Sequence, residues 1–146
     1  MRGRVLIVED DPDVLGLYRL LLARREMEVW NAVRTGEEAV DLYRAKADPP
    51  DVVLLDHRLP GCTGLEAANR ILDLHPAALF VLVTADESAI SIARAMGIKW
   101  VHRKPVGNAK LVQSLMQALD EAESKAEGEA AEERTGVADE EGPGNE

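Results

Sequence analysis

The 146 residues are enough for one domain with a sizeable core, and 46% of them are hydrophobic, which fits a soluble globular chain and excludes wholesale disorder. The net charge of −10 is unevenly spread: residues 120–146 carry 11 acidic against 2 basic side chains, leaving 16 against 15 in residues 1–119. The main body is nearly neutral, and neither part has the basic patch that nucleic-acid binding requires. No apolar run approaches the roughly 18 residues of a membrane helix, and the N-terminal Met-Arg-Gly-Arg lacks a signal-peptide pattern. Cys62 is the single cysteine, which excludes an internal disulfide and a cysteine zinc cluster and fits a reduced, cytoplasmic chain.

Taken in order, Arg4-Val-Leu-Ile-Val8 reads as a buried strand ending in Glu9-Asp10-Asp11. Pro12 suits a first helical position, so Asp11 is the expected N-cap of a helix reaching about Arg25, with Leu15, Tyr18, Leu21 and Leu22 at helical spacing. Glu28 to Ala32 is a second, shorter strand. Thr35-Gly-Glu-Glu38 has capping-box spacing and opens a helix carrying Ala39, Val40, Leu42 and Tyr43. The loop Asp48-Pro-Pro-Asp51 leads into Val52-Val-Leu-Leu-Asp56, a run apolar enough to be buried on both faces. Pro60, Gly61 and Gly64 then mark a turn before a helix from about Leu65 to Leu74, ended by His75-Pro76.

Leu79 to Val83 is a fourth strand closed by Thr84-Ala85, and Asp86 is placed to cap a helix from Glu87 to Met96 with Gly97 as its stop. Trp100 to Arg103 is a less apolar fifth strand ending in Lys104-Pro105. A last helix from Asn108 carries Leu111, Val112, Leu115, Met116 and Leu119 on one stripe. Five strands alternating with five helices predict an α/β fold: a flavodoxin-like, doubly wound parallel sheet with helices on both faces. The domain is expected over 1–122, followed by an acidic tail, 123–146, without an apolar stripe and expected to be disordered.

In a parallel sheet the carboxyl ends of all strands share one edge, where ligands bind. That edge collects Glu9 and Asp10, Asp56, Thr84 and Lys104. Three carboxylates together repel; a hard divalent cation such as Mg²⁺ relieves the repulsion, and Lys104 offers a further charge for a phosphoryl group. Each residue alone has a bland role as turn acid, helix cap or surface lysine, but their gathering on one edge makes the joint chemistry the better account.

The ordered set of Glu9-Asp10, Asp56, Leu59-Pro60-Gly61 with Gly64, Thr84-Ala85 and Lys104-Pro105 resembles the receiver domain of bacterial two-component response regulators, over residues 4 to about 122. The resemblance implies a phosphoryl acceptor, not an enzyme acting on other substrates. Asp56 would take a phosphoryl group from a phosphohistidine on a sensor histidine kinase or a histidine phosphotransfer protein. Glu9, Asp10, Asp56 and the backbone carbonyl of Arg58 would hold Mg²⁺, Lys104 would pair with a phosphoryl oxygen, and the Thr84 hydroxyl would swing in to bond another. Ala85 must be small to leave the site open.

The switch and output face would involve Thr84, Ala85, Trp100, Val101 and Lys104, with Ile90 and Met96 as further contacts. Residues 87–122 would be the surface for a downstream protein target or for a homodimer. The chain departs from the family at Val101, where receivers usually carry Tyr or Phe, and strand alternation puts Trp100 on the opposite face. Arg58 and Asp86 are expected to flank the mouth, where an ion pair between them would shield an acyl phosphate. His57 adjoins Asp56 but points away from it. The rival readings are a phosphorylation-independent interaction module, a flavin binder, opposed by the acidic Asp10-Asp-Pro-Asp13, and an Asp-nucleophile phosphohydrolase, opposed by Arg58 where a second acid is needed.

Overall fold

The apolar runs become strands because their residues can be buried on both sides of a sheet. The computed structural model describes residues 3–141, with side-chain surroundings for 3–128. In chain order the elements are β1 (Arg4–Val8), α1 (Pro12–Arg24), β2 (Glu28–Val33), α2 (Gly36–Ala45), β3 (Val52–Asp56), α3 (Gly64–Leu74), β4 (Phe80–Thr84), α4 (Glu87–Ala95), β5 (Trp100–Arg103) and α5 (Asn108–Glu141). The strands form one parallel sheet in the order β2-β1-β3-β4-β5, the doubly wound, flavodoxin-like arrangement expected.

Alternation divides the core into two halves. Leu6 and Val8, Val53 and Leu55, Phe80 and Leu82 face α2, α3 and α4, while Val5 and Ile7, Val52 and Leu54, Val81 and Val83 face α1 and α5. β1, β3 and β4 are buried almost throughout, whereas β2 and β5, at the edges, are only half-buried. Between Val5 and Leu6 the partner on β2 jumps from Val29 to Asn31, a bulge at Trp30. The extra residue turns Ala32 to the same face as Val29 and Val33 to the same face as Trp30.

The helix starts follow their caps. Asp11 accepts from the backbone of Asp13 and Val14, Asp86 from Ser88 and Ala89, and Thr35 closes a capping box with Glu38. A second capping box, Thr63 with Glu66, starts α3 at Gly64, one residue before the expected position. Gly97, at φ +90°, stops α4 as expected. The largest departure is at the C-terminus. Residues 123–141, expected to be disordered, continue α5 to Glu141, while 142–146 lie outside the described residues. Glu, Ala and Lys are strong helix formers, and Lys125 pairs with Glu121 one turn earlier at 3.6 Å, so local propensity extends the helix without an apolar stripe. No described helix is long and apolar enough to cross a membrane.

Candidate functional site

The strand order reverses at β1, where the chain crosses from β2 on one side to β3 on the other, and the crevice beyond those strand ends is where such sheets bind ligands. Glu9 and Asp56 are buried there, 2% and 7% exposed, and Asp10 is half-buried. One carboxylate oxygen from each of Glu9, Asp10 and Asp56 lies within 4.8 Å of the others. Glu9 Oε2 accepts from the backbone N–H of Asp11 at 3.0 Å, but Glu9 Oε1 is buried with no hydrogen-bond partner. A buried orphan oxygen is costly, and here it sits among two more carboxylates. Burial holds the Glu9 carboxyl above its ordinary value; the Asp11 bond and Lys104 pull it down, while Asp56 and Asp10 push it further up. An all-oxygen set with one unsatisfied member fits a hard divalent cation such as Mg²⁺.

That raised pKa has a consequence for stability. The folded state retains the Glu9 proton at pH values where the unfolded chain has already lost it. In EDTA, stability therefore falls as pH rises from the unfolded carboxyl value through the raised folded one. Glu9→Gln is expected to flatten this decline in urea titrations at several pH values. An unchanged slope in the variant would assign the decline to another group.

Lys104, following β5, places Nζ 3.3 Å from Asp56 Oδ1, and its backbone N–H donates to the Thr84 carbonyl at 2.9 Å. Thr84, at the end of β4 and 1% exposed, accepts at Oγ1 from the backbone N–H of Asp86 at 3.1 Å, which ties its hydroxyl to the start of α4. Ala85 is exposed at the mouth. Arg58 lies in the β3–α3 loop with its side chain exposed, and among the described residues it makes no ion pair. The expected Arg58–Asp86 pair does not form among the described residues; Asp86 Oδ1 instead accepts from Ser88 N–H, Ser88 Oγ–H and Ala89 N–H as the cap of α4. The Ser88 hydroxyl, then the Ala89 N–H, hold the Asp86 carboxyl below its ordinary value. His57 Nδ1 accepts from the Leu65 N–H at 3.4 Å, at the start of α3.

Trp100 and Val101 face opposite ways, as alternation requires. Val101 packs on the α2–α3–α4 side, whereas Trp100 packs on the α1–α5 side and donates from Nε1 to Gln117 Oε1 at 3.0 Å. Met96 packs against the core, Ile90 is half-buried, and Ile92, which the sequence did not single out, is the large apolar residue that α4 exposes.

Three further features of the site were not anticipated. A Cβ on Gly64 would lie 2.1 Å from the Asp56 carbonyl oxygen. The Tyr18 phenol is buried and pushed up by that burial, with Glu9 and Asp56 adding to the effect. Arg34 donates from Nη2 to the Asp10 carbonyl at 3.2 Å. Of these only the Gly64 start had a sequence signal, the Thr63-x-x-Glu66 spacing beside it.

Comparison with known proteins places this site in a family. Residues 5–116 match the response regulator receiver domain model. The response regulator GacA of Pseudomonas viridiflava is 36% identical over 116 residues, which cover 77% of this chain and 53% of GacA. The chain spans about half the length, or less, of three curated relatives that it matches. Among solved structures, a CheY-like receiver domain protein from Methanospirillum hungatei has a TM-score of 0.75 at 25% identity, covering 84% of this chain and 98% of that one. The CheX–CheY–BeF3–Mg²⁺ complex from Borrelia burgdorferi gives a TM-score of 0.73 at 25% identity, covering 79% and 87%. With the family model spanning most of the chain, the chain belongs to the response regulator receiver domain family.

Proposed function

We propose that this chain is a phosphorylatable receiver in a cytoplasmic two-component pathway, accepting a phosphoryl group on Asp56. The observation that carries the reading is the orphaned Glu9 Oε1 within a three-carboxylate cluster whose third member, Asp56, is paired with Lys104. In the step, an Asp56 carboxylate oxygen attacks the phosphorus of a phosphohistidine on a sensor kinase or phosphotransfer protein. The new O–P bond forms as the N–P bond breaks, and the electron pair returns to the imidazole nitrogen, which takes a proton from solvent.

Glu9, Asp10 and Asp56, with the backbone carbonyl of Arg58, would hold Mg²⁺, and the bound ion would supply charge neutralisation for the transferring group. Lys104 keeps an ammonium at the attacked side and then pairs with a phosphoryl oxygen. The Thr84 hydroxyl leaves the Asp86 N–H and donates to another oxygen, which loosens the start of α4. Such a local electrostatic event biases a surface with two arrangements, here the face built from 87–122, which meets a downstream protein or a second copy. Val101 removes the usual ring from that coupling. The protein turns over no other substrate and promotes only its own phosphorylation and dephosphorylation. The likeness to a CheY solved in complex with CheX, BeF3 and Mg²⁺ supports the cation, the anion and a protein partner.

The test is intact-protein mass after incubation with phosphoramidate, in MgCl₂ or in EDTA. A gain of one phosphoryl group that requires Mg²⁺ is expected. No gain from the folded protein, with phosphoramidate and with phosphorylated histidine kinases as donors, would overturn the reading in favour of a phosphorylation-independent interaction module.

A further inference from the structure

Each residue of the acidic loop after β1 is held, some by contacts within the loop and its helix and some by contacts from β2 and the residue after it. Glu9 is fixed by its backbone N–H, which donates to the Val33 carbonyl at 3.0 Å, and by its side chain on the Asp11 N–H. Asp11 is fixed as the cap of α1. Asp10, between them, has no such local tie: its carboxylate makes no hydrogen bond among the described residues, and its carbonyl is bonded by the guanidinium of Arg34, 24 residues along the chain. Arg34 is itself prepared for the contact. It directly follows β2, whose end the Glu9–Val33 bond draws beside β1, and its backbone N–H donates to Glu38 Oε1 at 3.1 Å, part of the cap of α2.

From this geometry we infer that Arg34 is a positioning residue for divalent-cation binding: by holding the Asp10 carbonyl, it keeps the Asp10 carboxylate turned toward Glu9 and Asp56. The inference rests on the proposed Mg²⁺ role of those three acids. Two opposing effects decide the sign. A guanidinium near the site repels an incoming cation, but Arg34 is exposed and solvent screens that repulsion. The bond to Asp10 is a charge-assisted donor on the backbone of a ligand residue, and outer-shell partners of that kind commonly carry about 10–100-fold in metal affinity. Exposure puts the Arg34 contact at or below the low end of that range, and positioning outweighs repulsion.

The experiment is calorimetric titration of MgCl₂ into the full chain, with urea midpoints in EDTA as a measure of folding. Arg34→Ala is expected to weaken Mg²⁺ binding by about three- to tenfold with an unchanged urea midpoint, because no core contact is lost. Arg34→Lys, which keeps a charged donor on a long stem, is expected to recover most of the loss. Arg34→Ala binding as tight as the wild type, or tighter, would overturn the inference and leave charge repulsion as the only effect of this residue. So would a loss matched by a lower urea midpoint, which would make the contact one of general stability. Wild-type chain giving no Mg²⁺ heat, the same as Asp10→Asn, would instead sink the metal reading on which the inference depends.

Discussion

Asp56→Asn is expected to abolish Mg²⁺-dependent phosphoryl uptake, slowing it by at least about a thousandfold, while the fold persists. The side chain ends β3 and is 7% exposed, and asparagine has nearly the same shape, so packing against the strand end is retained. What disappears is the anionic nucleophile and its pairing with Lys104 at 3.3 Å. One of three crowded carboxylates also disappears. Since the Asp56 charge helps to raise the Glu9 carboxyl, that group moves back toward its ordinary value in the variant. The loss of stability with rising pH in EDTA should therefore be shallower than in the wild type. Intact mass and urea titration check the two halves separately. A phosphoryl gain at the wild-type rate in the variant would place the acceptor elsewhere.

Gly64→Ala is expected to destabilise the domain by about 2–4 kcal/mol, beyond the usual overpacking cost because the obstruction is backbone. The added Cβ would lie 2.1 Å from the Asp56 carbonyl oxygen and 2.8 Å from the His57 Cα, neither of which can rotate away. The Gly64 N–H also donates to the His57 carbonyl at 2.7 Å, so α3 starts directly on the backbone that follows the acceptor residue. Displacing that start moves Asp56, and phosphorylation should slow together with the loss of stability. Gly61→Ala is the control. Its φ of +83° imposes strain but nothing lies within 4 Å of the added carbon, so a cost of only about 1 kcal/mol is expected. Urea denaturation of both variants decides; equal costs would show that the close approach at Gly64 is relieved by backbone adjustment.

The strands were legible because β1, β3 and β4 are continuous apolar runs of strand length, each bounded by turn residues, and the helix starts because their caps are chemical signals only four residues long. Element ends shifted by a residue where a cap was overlooked, as at Thr63. The end of α5 was not legible, since a polar, Glu- and Ala-rich segment satisfies both the composition of disorder and the propensity of a helix. At the site, Glu9, Asp10, Asp56, Thr84 and Lys104 could be placed on one edge from strand order alone. The Arg58–Asp86 pair, expected from position alone, does not form among the described residues; what Asp86 Oδ1 bonds instead are two N–H groups and a hydroxyl of α4, its near neighbours in the chain.

The sequence by itself determined the layers of this protein, the edge on which its acids gather and the family to which that ordered set points, because periodicity and strand-end chemistry are local. Only the tertiary structure decided which groups meet across the chain. It left Glu9 Oε1 buried without a partner, set Lys104 beside Asp56, brought Arg34 to the Asp10 carbonyl and pressed α3 onto the end of β3 at Gly64. Those contacts depend on the register of strands and the seating of helices, in which residues far apart in sequence come within a hydrogen-bond length, and no local pattern carries that distance.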